Sequence, residues 1–233
     1  MPKVRSKRYL SAAEAAARPG ALSIPEAVKA VKAGATAKFD ETINLAIKLN
    51  IDTKQAEQLV RGSLSLPHGI GKTMRVIAFC EGEEAERARQ NGAVAVGGAD
   101  LVEKILGGWM EFDVAIAHPA MMRFIGKLGK VLGPKGLMPS PKSGTVTEKT
   151  AEAVREFAAG KIEFRNDKEG NVHIPVGKRS FEDEKLVANI RAAIQHILSL
   201  RPSAVKGDYV QRIFVSSTMG PSLRIAVESI GAR

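Results

Sequence analysis

The pattern of apolar residues changes twice along this chain of 233 residues and divides it into three segments. In the first segment, apolar and polar residues alternate from Ile43 to Leu49, which is the period of a strand with one buried and one solvated face. Short and nearly continuous apolar runs follow, at 76–79, 93–96 and 114–117. Helical stretches separate these runs, as is typical of parallel strands covered on both faces. The middle segment, from about residue 68 to Gly160, therefore predicts a small parallel sheet wrapped by helices.

Alternation of apolar and polar residues returns after Gly160. It predicts one hairpin with strands 161–165 and 172–176 and a second with strands 209–215 and 223–227. Between them, an apolar stripe from Leu186 to Leu198 predicts a long amphipathic helix. The first segment offers only one amphipathic strand, which is too little for a stable sheet. We therefore expect the first and last segments to fold together into a sheet with helices on one face.

These patterns predict an α/β fold class with two domains. The outer domain is discontinuous, of the α+β type with a mostly antiparallel sheet, and comprises residues 1–67 and 160–233. The inserted α/β domain comprises residues 68–159. Within the outer domain, Ser23-Ile-Pro-Glu26 has the spacing of a capping box and predicts the beginning of a helix.

The net charge of +10 lies almost entirely outside the predicted inserted domain. Residues 68–159 hold 12 basic and 11 acidic side chains, whereas the flanking segments together hold 23 basic and 14 acidic side chains. An excess of this size favours nucleic acid as the partner, although it also occurs in proteins that are merely soluble. The outer domain is therefore the first place to look for a nucleic-acid contact.

One stretch of the inserted domain departs from this balance of charge. Residues 114–147 contain no Asp or Glu but carry Arg123, Lys127, Lys130, Lys135 and Lys142. Frequent glycines and prolines predict that much of Gly126–Gly144, the central part of this lysine segment (residues 114–147), is loop. Because an ordinary solvated loop mixes both charge signs, we expect this one to meet phosphates. Lys127, Lys130, Lys135 and Lys142 are therefore candidates for a secondary nucleic-acid contact.

Apparent catalytic and cofactor motifs fail on their spacing. Gly71-Lys72-Thr73 matches the end of a phosphate-binding loop, but Leu66 occupies the position of the required first glycine. The glycines of the lysine segment do not match the dinucleotide fingerprint. The four histidines are scattered, with no cysteine or carboxylate at metal-ligand spacing. We therefore expect no enzyme activity, no cofactor and no metal.

The sequence predicts a cytoplasmic protein without a membrane partner. No apolar run approaches the roughly 20 residues that span a bilayer. The charged start, Met1-Pro-Lys-Val-Arg-Ser-Lys-Arg8, is not followed by an apolar segment, which argues against secretion. The lone cysteine, Cys80, ends an apolar run, where a buried thiol is far more common than a nucleophile.

Three short motifs of the outer domain are candidates for binding RNA. Lys38-Phe-Asp-Glu-Thr42 puts a cation, a ring and a hydroxyl before the first strand, where the ring either packs under RNA sugars or bases or caps the core. Arg165-Asn-Asp-Lys168 places donors at a hairpin tip, which is otherwise only a polar turn. Ser217-Thr-Met-Gly-Pro-Ser222 offers hydroxyls and a glycine that permits close backbone approach, although a tight hairpin would need less.

Several motifs together resemble one protein family. They are Phe39-Asp-Glu-Thr-Ile, Val60-Arg-Gly-Ser-Leu-Ser-Leu-Pro-His-Gly69, Leu132-Gly-Pro-Lys-Gly-Leu-Met-Pro139, Gly160-Lys-Ile-Glu-Phe-Arg-Asn-Asp-Lys168 and Thr218-Met-Gly-Pro-Ser222. The combination is similar to that of bacterial members of the large-subunit ribosomal protein one family, which belong to the mobile stalk beside the tRNA exit site. The resemblance spans the whole chain and its motifs are specific in combination.

The resemblance implies a discontinuous RNA-binding domain with an inserted, Rossmann-like, three-layer α/β domain. It implies a structural constituent of the large ribosomal subunit that binds 23S ribosomal RNA and catalyses no reaction. The further partners that it implies are exit-site tRNA, whose release the stalk assists, and the messenger RNA of its own operon, whose translation the free protein represses. The family's RNA contacts would fall on Lys38, Phe39, Thr42, Arg165, Asp167, Lys168, Ser217, Thr218, Met219 and Gly220.

Two other interpretations of the sequence remain open at this point. A nucleotide-binding enzyme could be built on the inserted α/β domain, although the missing phosphate-loop glycine and dinucleotide fingerprint argue against it. In the second interpretation, the chain is a basic adaptor that binds an acidic protein. RNA binding through phosphates predicts an affinity that falls steeply with salt, whereas the enzyme would bind a nucleotide.

Overall fold

The structure, a computed structural model, describes residues 6–16 and 20–226. The chain divides into two compact units. The first unit comprises Met1–Val60, Leu66–Gly71 and Phe164–Arg233, and the second comprises Arg61–Ser65 and Lys72–Glu163. The ends of the predicted outer domain, 1–5 and 227–233, lie outside the described residues, as does the last residue of the predicted strand 223–227. The domain boundaries expected at residues 68 and 160 remain a prediction about folding units.

The first unit is built on a four-stranded antiparallel sheet. Its strands are β1 (Thr42–Leu49), β7 (Asn171–Lys178), β8 (Val210–Ser217) and β9 (Ser222–Ile225), in the order β7-β1-β8-β9. In the central strand β1, burial alternates at every residue, so one face is buried and the other is partly solvated. The expectation that the two ends of the chain share one sheet is therefore confirmed.

Helices cover one face of this sheet. They are α2 (Ile24–Gly34) and α8 (Asp183–Ser199), while α1 (Lys7–Ala16) contacts α2. The capping box is present at the start of α2, where the Ser23 backbone N–H donates to the Glu26 carboxylate at 3.2 Å. The inward stripe of α8, from Leu186 to Ile197, is fully buried at its apolar positions. Among the described residues of the first unit, no α-helix packs on the opposite face of the sheet.

The first predicted hairpin is wrong in its strand pairing. The strand β6 (Ile162–Arg165) pairs with β2 (Arg61–Leu64), whereas β7 pairs with β1. An isolated bridge between Asn166 and Val172, with one backbone hydrogen bond from Asp167 N to Asn171 O at 2.8 Å, closes the turn between the two strands. Asn166 is the reason, because its backbone N–H donates to Val60 O at 3.0 Å and its Oδ1 accepts from Val60 N at 2.9 Å. These bonds direct the chain away from β7.

The second unit contains the predicted parallel sheet. It has three strands in the order β4-β3-β5, namely β3 (Val76–Phe79), β4 (Ala95–Gly97) and β5 (Val114–Ala117). Helices α3 (Glu83–Gln90) and α7 (Thr150–Ala158) pack on one face, and α4 (Ala99–Leu106) packs on the other. All four residues of β3 are buried because each face has its own apolar cluster. The predicted α/β fold class is confirmed.

The lysine segment is more regular than its glycines and prolines predict. It contains the short helices α5 (Met122–Ile125) and α6 (Gly129–Leu132), with single 3-10 turns before, between and after them. Ile125, Leu128 and Leu132 are fully buried at helical spacing. The prediction that much of Gly126–Gly144 is loop is wrong for residues 126–132, because the burial of this apolar stripe outweighs the weak helix preference of the intervening glycines.

Candidate nucleic-acid interface

One end of the first unit's sheet brings together two of the predicted motifs, 38–42 and 217–220. Strand β1 begins at Thr42 and its neighbour β8 ends at Ser217, so the two motifs leave the sheet side by side. The Thr218 hydroxyl joins them, because it accepts from Thr42 N at 3.0 Å and donates to Thr42 O at 3.2 Å. We call this group of predicted site residues the Thr218 cluster: Lys38, Phe39, Thr42, Ser217, Thr218, Met219 and Gly220.

A fully buried carboxylate, Glu41, holds the two parts of the Thr218 cluster together. One of its oxygens accepts from Ala37 N and the other accepts from Met219 N, each at 3.0 Å. Neither of these backbone N–H groups donates within a helix or a sheet. The Glu41 carboxylate therefore supplies the acceptors that secondary structure would otherwise provide. The conformation of the turn at Met219 therefore depends on a residue that precedes β1.

Glu41 is ionised in this position. Burial opposes its charge, but the hydrogen bonds from Ala37 N and Met219 N, with the nearby Arg8 guanidinium, outweigh burial and hold the pKa of Glu41 below its usual value. The buried Ser217 hydroxyl lies close enough to favour the charge as well, although the two groups are not aligned in a regular hydrogen bond. Arg8 also donates to Met219 O at 3.3 Å, which adds a second constraint on the turn.

The turn that Glu41 fixes, with the neighbouring residues 38–39, exposes large apolar side chains to solvent. Phe39 is 52% exposed and Met219 is 48% exposed, which makes them two of the few large apolar side chains that the described residues leave open. The structure does not support the alternative in which Phe39 caps the core. Lys38 and Thr218 are also exposed. An exposed ring, a thioether, a cation and a hydroxyl together suit contact with RNA bases, sugars and phosphates.

Position 220 favours glycine because a side chain would not fit there, and not because the backbone adopts a left-handed conformation. A Cβ at this position would lie 2.5 Å from the Ser217 hydroxyl oxygen, which is far inside normal contact distance. Ser217 is itself buried, so its side chain has little room to move away. Glycine at this position therefore allows the turn to close on the end of β8.

The remaining predicted site residues, which we call the hairpin cluster, are Arg165, Asp167 and Lys168. All three are exposed. Asp167 has a structural task, because its Oδ1 accepts from Glu169 N at 2.9 Å and from Asn171 N at 2.7 Å. Although desolvation opposes its charge, these bonds and one from the Asn171 side chain lower the pKa of Asp167. Its oxygens are thus largely occupied by the turn itself.

The hairpin cluster and the Thr218 cluster lie at opposite ends of β1. The register sets Thr42 opposite Lys178, at the end of β7, and Lys48 opposite Asn171, at the start of β7. Six residues of extended strand separate these pairs, which is a distance of about 20 Å. The ten predicted RNA-binding residues are therefore brought into two groups on one sheet and not into one site.

The lysines of the secondary candidate contact lie in the second unit. Lys127, Lys130, Lys135 and Lys142 are all exposed on the short helices and turns of the lysine segment, as is Arg123. Among the ion pairs of the described residues, none involves these five cations. Their charges are therefore directed to solvent.

The sequence did not identify Glu41 as a functional residue. It lies inside the quoted motif, but an acidic residue beside a proposed anion site gives no signal of a binding role. Asp40 was missed for the same reason, and it accepts from both the backbone and the hydroxyl of Ser180, at 3.1 and 2.7 Å. The signal that could have found both residues is two adjacent carboxylates directly before a strand in a strongly basic segment.

The residues that the structure describes lack the features of a metal site and of a membrane span. No cluster of three or more His, Cys, Asp or Glu side chains there could hold a metal ion. No described helix combines the length and apolar character needed to cross a bilayer.

Comparison with known proteins places this surface in context. Residues 31–221 match the model of the ribosomal protein L1p/L10e family. The chain is 54% identical over 226 residues to the large ribosomal subunit protein uL1 of Fervidobacterium nodosum, across 97% of this chain and 96% of that protein. Proteins of the same name from Thermosipho melanesiensis and Kosmotoga olearia are 52% and 50% identical, across 97% of this chain and 97% of each protein. The resemblance seen in the motifs is thus confirmed, and the chain belongs to the ribosomal protein L1p/L10e family.

Proposed function

We propose that this chain is a structural constituent of the large ribosomal subunit and binds 23S ribosomal RNA through its first unit. The names of its relatives, all large ribosomal subunit proteins uL1, support the ribosomal assignment. The family consists of structural proteins rather than enzymes, so no reaction is part of the proposal. The observation that carries the RNA contact is the Thr218 cluster, where a buried carboxylate fixes a turn whose apolar tip is exposed.

Each member of the Thr218 cluster has a role that its chemistry suits. Lys38 meets a phosphate, and the exposed faces of Phe39 and Met219 pack on sugars or bases. Thr42, Ser217 and Gly220 shape the turn so that the backbone approaches the RNA closely. Because Glu41 fixes the turn in the free protein, little ordering is needed on binding, and this pre-organisation favours affinity.

The hairpin cluster supplies a second contact with the same RNA. Arg165 and Lys168 are exposed cations at the tip, and they provide phosphate contacts. Asp167 acts mainly by holding the turn that presents them, because both of its oxygens already accept hydrogen bonds within the hairpin. In this proposal it is a positioning residue.

Filter binding of a labelled 23S rRNA stalk fragment over a salt series tests the proposal. The logarithm of the affinity should fall linearly with the logarithm of salt concentration. Phe39→Ala should weaken binding by roughly tenfold or more, since base stacking on an aromatic ring contributes about 1–3 kcal/mol. Met219→Ala, which removes the exposed apolar tip of the turn, should weaken binding to a similar extent. Leu106→Ala is the matched control, because Leu106 is 50% exposed but lies in the second unit. Equal losses in all three variants would remove the Thr218 cluster from the interface.

We also propose the finer roles that the family resemblance implies. The protein assists release of deacylated tRNA from the exit site, and the free protein represses translation of its own operon messenger RNA by binding a similar RNA shape. The exposed lysine segment is the candidate secondary nucleic-acid contact, with rRNA or tRNA, and the cell compartment is the cytoplasm. In cell-free translation of that messenger, added protein should lower the yield, and Met219→Ala should restore it.

The two compact units support a proposal about folding domains. Residues 1–67 and 160–233 would form the outer domain and residues 68–159 the inserted one. Limited proteolysis should then cut first near residues 68 and 160 and leave a stable internal fragment. Cleavage distributed evenly within the second unit would contradict these boundaries.

A further inference from the structure

We propose that the open face of the first unit's sheet is a third part of the interface, which holds the ribose-phosphate backbone of RNA between the Thr218 cluster and the hairpin cluster. This inference rests on the proposed function. It adds a binding surface to that function, and none of the sequence motifs identified its residues Arg212, Phe214 and Arg224.

The open face is defined by the alternation of burial along four strands. The buried face carries the apolar core and packs on α2 and α8. The residues of the opposite face are all half-buried or exposed. They are Thr42, Asn44, Ala46 and Lys48 on β1, Asn171, His173, Pro175 and Lys178 on β7, Arg212, Phe214 and Ser216 on β8, and Ser222 and Arg224 on β9.

The charge of this face has one sign. Lys48, Lys178, Arg212 and Arg224 are the ionised residues among the open-face positions described, and no Asp or Glu stands beside them there. The nearest carboxylate contact is at the β7 edge, where Asp167 of the hairpin approaches His173 at 3.8 Å. A solvated face normally mixes both charge signs, so a wholly cationic one fits a polyanion.

Two of these cations are uncommitted within the described structure. Lys178 donates to the Thr42 hydroxyl at 2.8 Å, and Lys48 donates to the carbonyl of Glu169. By contrast, the side chains of Arg212 and Arg224 take part in none of the hydrogen bonds or ion pairs found among the described residues. Both arginines are exposed, and guanidinium groups are well suited to bind phosphate oxygens.

An aromatic side chain lies among the cations. Phe214 is half-buried on the open face, directly opposite Ala46 on one neighbouring strand and Arg224 on the other. A ring on an exposed sheet beside arginines is a common means of holding ribonucleotides by stacking. The small alanine leaves space over the sheet on the β1 side.

The open face also connects the two groups of predicted residues. Thr42 and Lys48 mark the ends of the β1 row, about 20 Å apart, next to the Thr218 cluster and the hairpin cluster respectively. An RNA that contacts both clusters must pass along β1 or beside it. The cationic face lies along that path, whereas the helices occupy the other face.

The test compares two double variants of the full chain that remove the same charge. Arg212→Ser with Arg224→Ser changes the open face. Lys29→Ser with Arg191→Ser is the matched control, since both residues are exposed on the helices that cover the other face. In filter binding with the 23S rRNA stalk fragment, the open-face pair should weaken binding roughly tenfold and lower the salt slope by about 1 to 2. The control pair should change the affinity by less than about threefold.

A third variant and a folding measurement complete the test. Phe214→Leu keeps a large apolar side chain but removes the ring, and because Phe214 is only half-buried it should weaken binding by roughly fivefold with an almost unchanged midpoint of thermal unfolding. If the open-face pair and the control pair lose the same affinity while Met219→Ala still loses much more, this inference is wrong and the proposed function stands. If the unmodified chain does not bind the fragment at low salt, both are wrong.

Discussion

Replacing Glu41 by Gln should loosen the turn that carries the proposed RNA contact. The substitution keeps the size of the side chain but removes its charge. The single amide oxygen of the new side chain can still accept from either Ala37 N or Met219 N, but not from both. The amide nitrogen would then face the other backbone N–H, donor against donor.

The expected loss follows from these contacts. A hydrogen bond to a charged group contributes about 1.5–3 kcal/mol, and a buried donor left without an acceptor costs a similar amount. Because Glu41 is fully buried and both of the bonds that it accepts are part-buried, water replaces the lost bond only in part. We therefore expect Glu41→Gln to lower the free energy of unfolding of the first unit by about 2–3 kcal/mol at neutral pH.

The effect should depend on pH in a defined direction. The pKa of Glu41 is lowered by folding, so its ionised form stabilises the protein fully above its usual value near 4.5. That stabilisation is lost as pH falls through the lower pKa of the folded state. The difference between the unmodified chain and the Gln variant should therefore be largest near neutral pH and shrink below 4.5.

Urea unfolding followed by circular dichroism, repeated across pH, measures this difference. The fluorescence of Trp109 provides an internal control, because the single tryptophan lies in the second unit. Its signal should report the same second-unit stability in both proteins. A difference between the two proteins that is absent at pH 7, or that persists unchanged in acid, would refute the role given to the Glu41 carboxylate.

Three further changes should have separable results. Gly220→Ala should weaken binding of the 23S rRNA fragment at least tenfold by distorting the turn, whereas Gly34→Ala, whose Cβ meets nothing within 4 Å, should leave binding intact. Asp167→Asn should retain more RNA affinity than Asp167→Ala, because Asn keeps the oxygen that accepts from the turn; equal losses would indicate a direct role for the charge. Asn189→Ala should lower the free energy of unfolding by about 2–4 kcal/mol in urea titration, since Asn189 is fully buried and its loss leaves the buried Val176 O and the part-buried His68 N without their bonds; a loss under about 1 kcal/mol would contradict this.

Local patterns predicted the elements of the fold well where each pattern had one physical cause. Alternation identified β1 because one of its faces is buried and the other is not. Continuous apolar runs identified β3 and β5 because both of their faces are covered. The capping box at Ser23 is local by nature, since its bonds reach only three residues along the chain.

Strand partners and mixed signals were harder to predict. Alternation fixes which face of β7 is buried but not which strand pairs with it, and Asn166 redirected the chain to a partner that no local pattern specifies. In the lysine segment, glycine and proline content outweighed the helical spacing of Ile125 and Leu128 in the sequence interpretation. In the structure this part of the segment is helical, because the burial of both side chains stabilises the helical turns.

The candidate site was predicted in its motifs but not in its support. Thr42 and Thr218 were both identified, and the structure joins them across the sheet end. Glu41 was not, because its partner Met219 lies 178 residues further along the chain. A buried carboxylate cannot be distinguished from a solvated one until its donors are known.

Ultraviolet cross-linking of the intact chain to a 23S rRNA stalk fragment, with peptide mapping, tests the central claim most directly. If the sheet of the first unit holds the RNA, cross-links should concentrate in peptides that contain Phe39 and Met219, and should extend to Phe214. Cross-links confined to the lysine segment, with none in the first unit, would contradict the account.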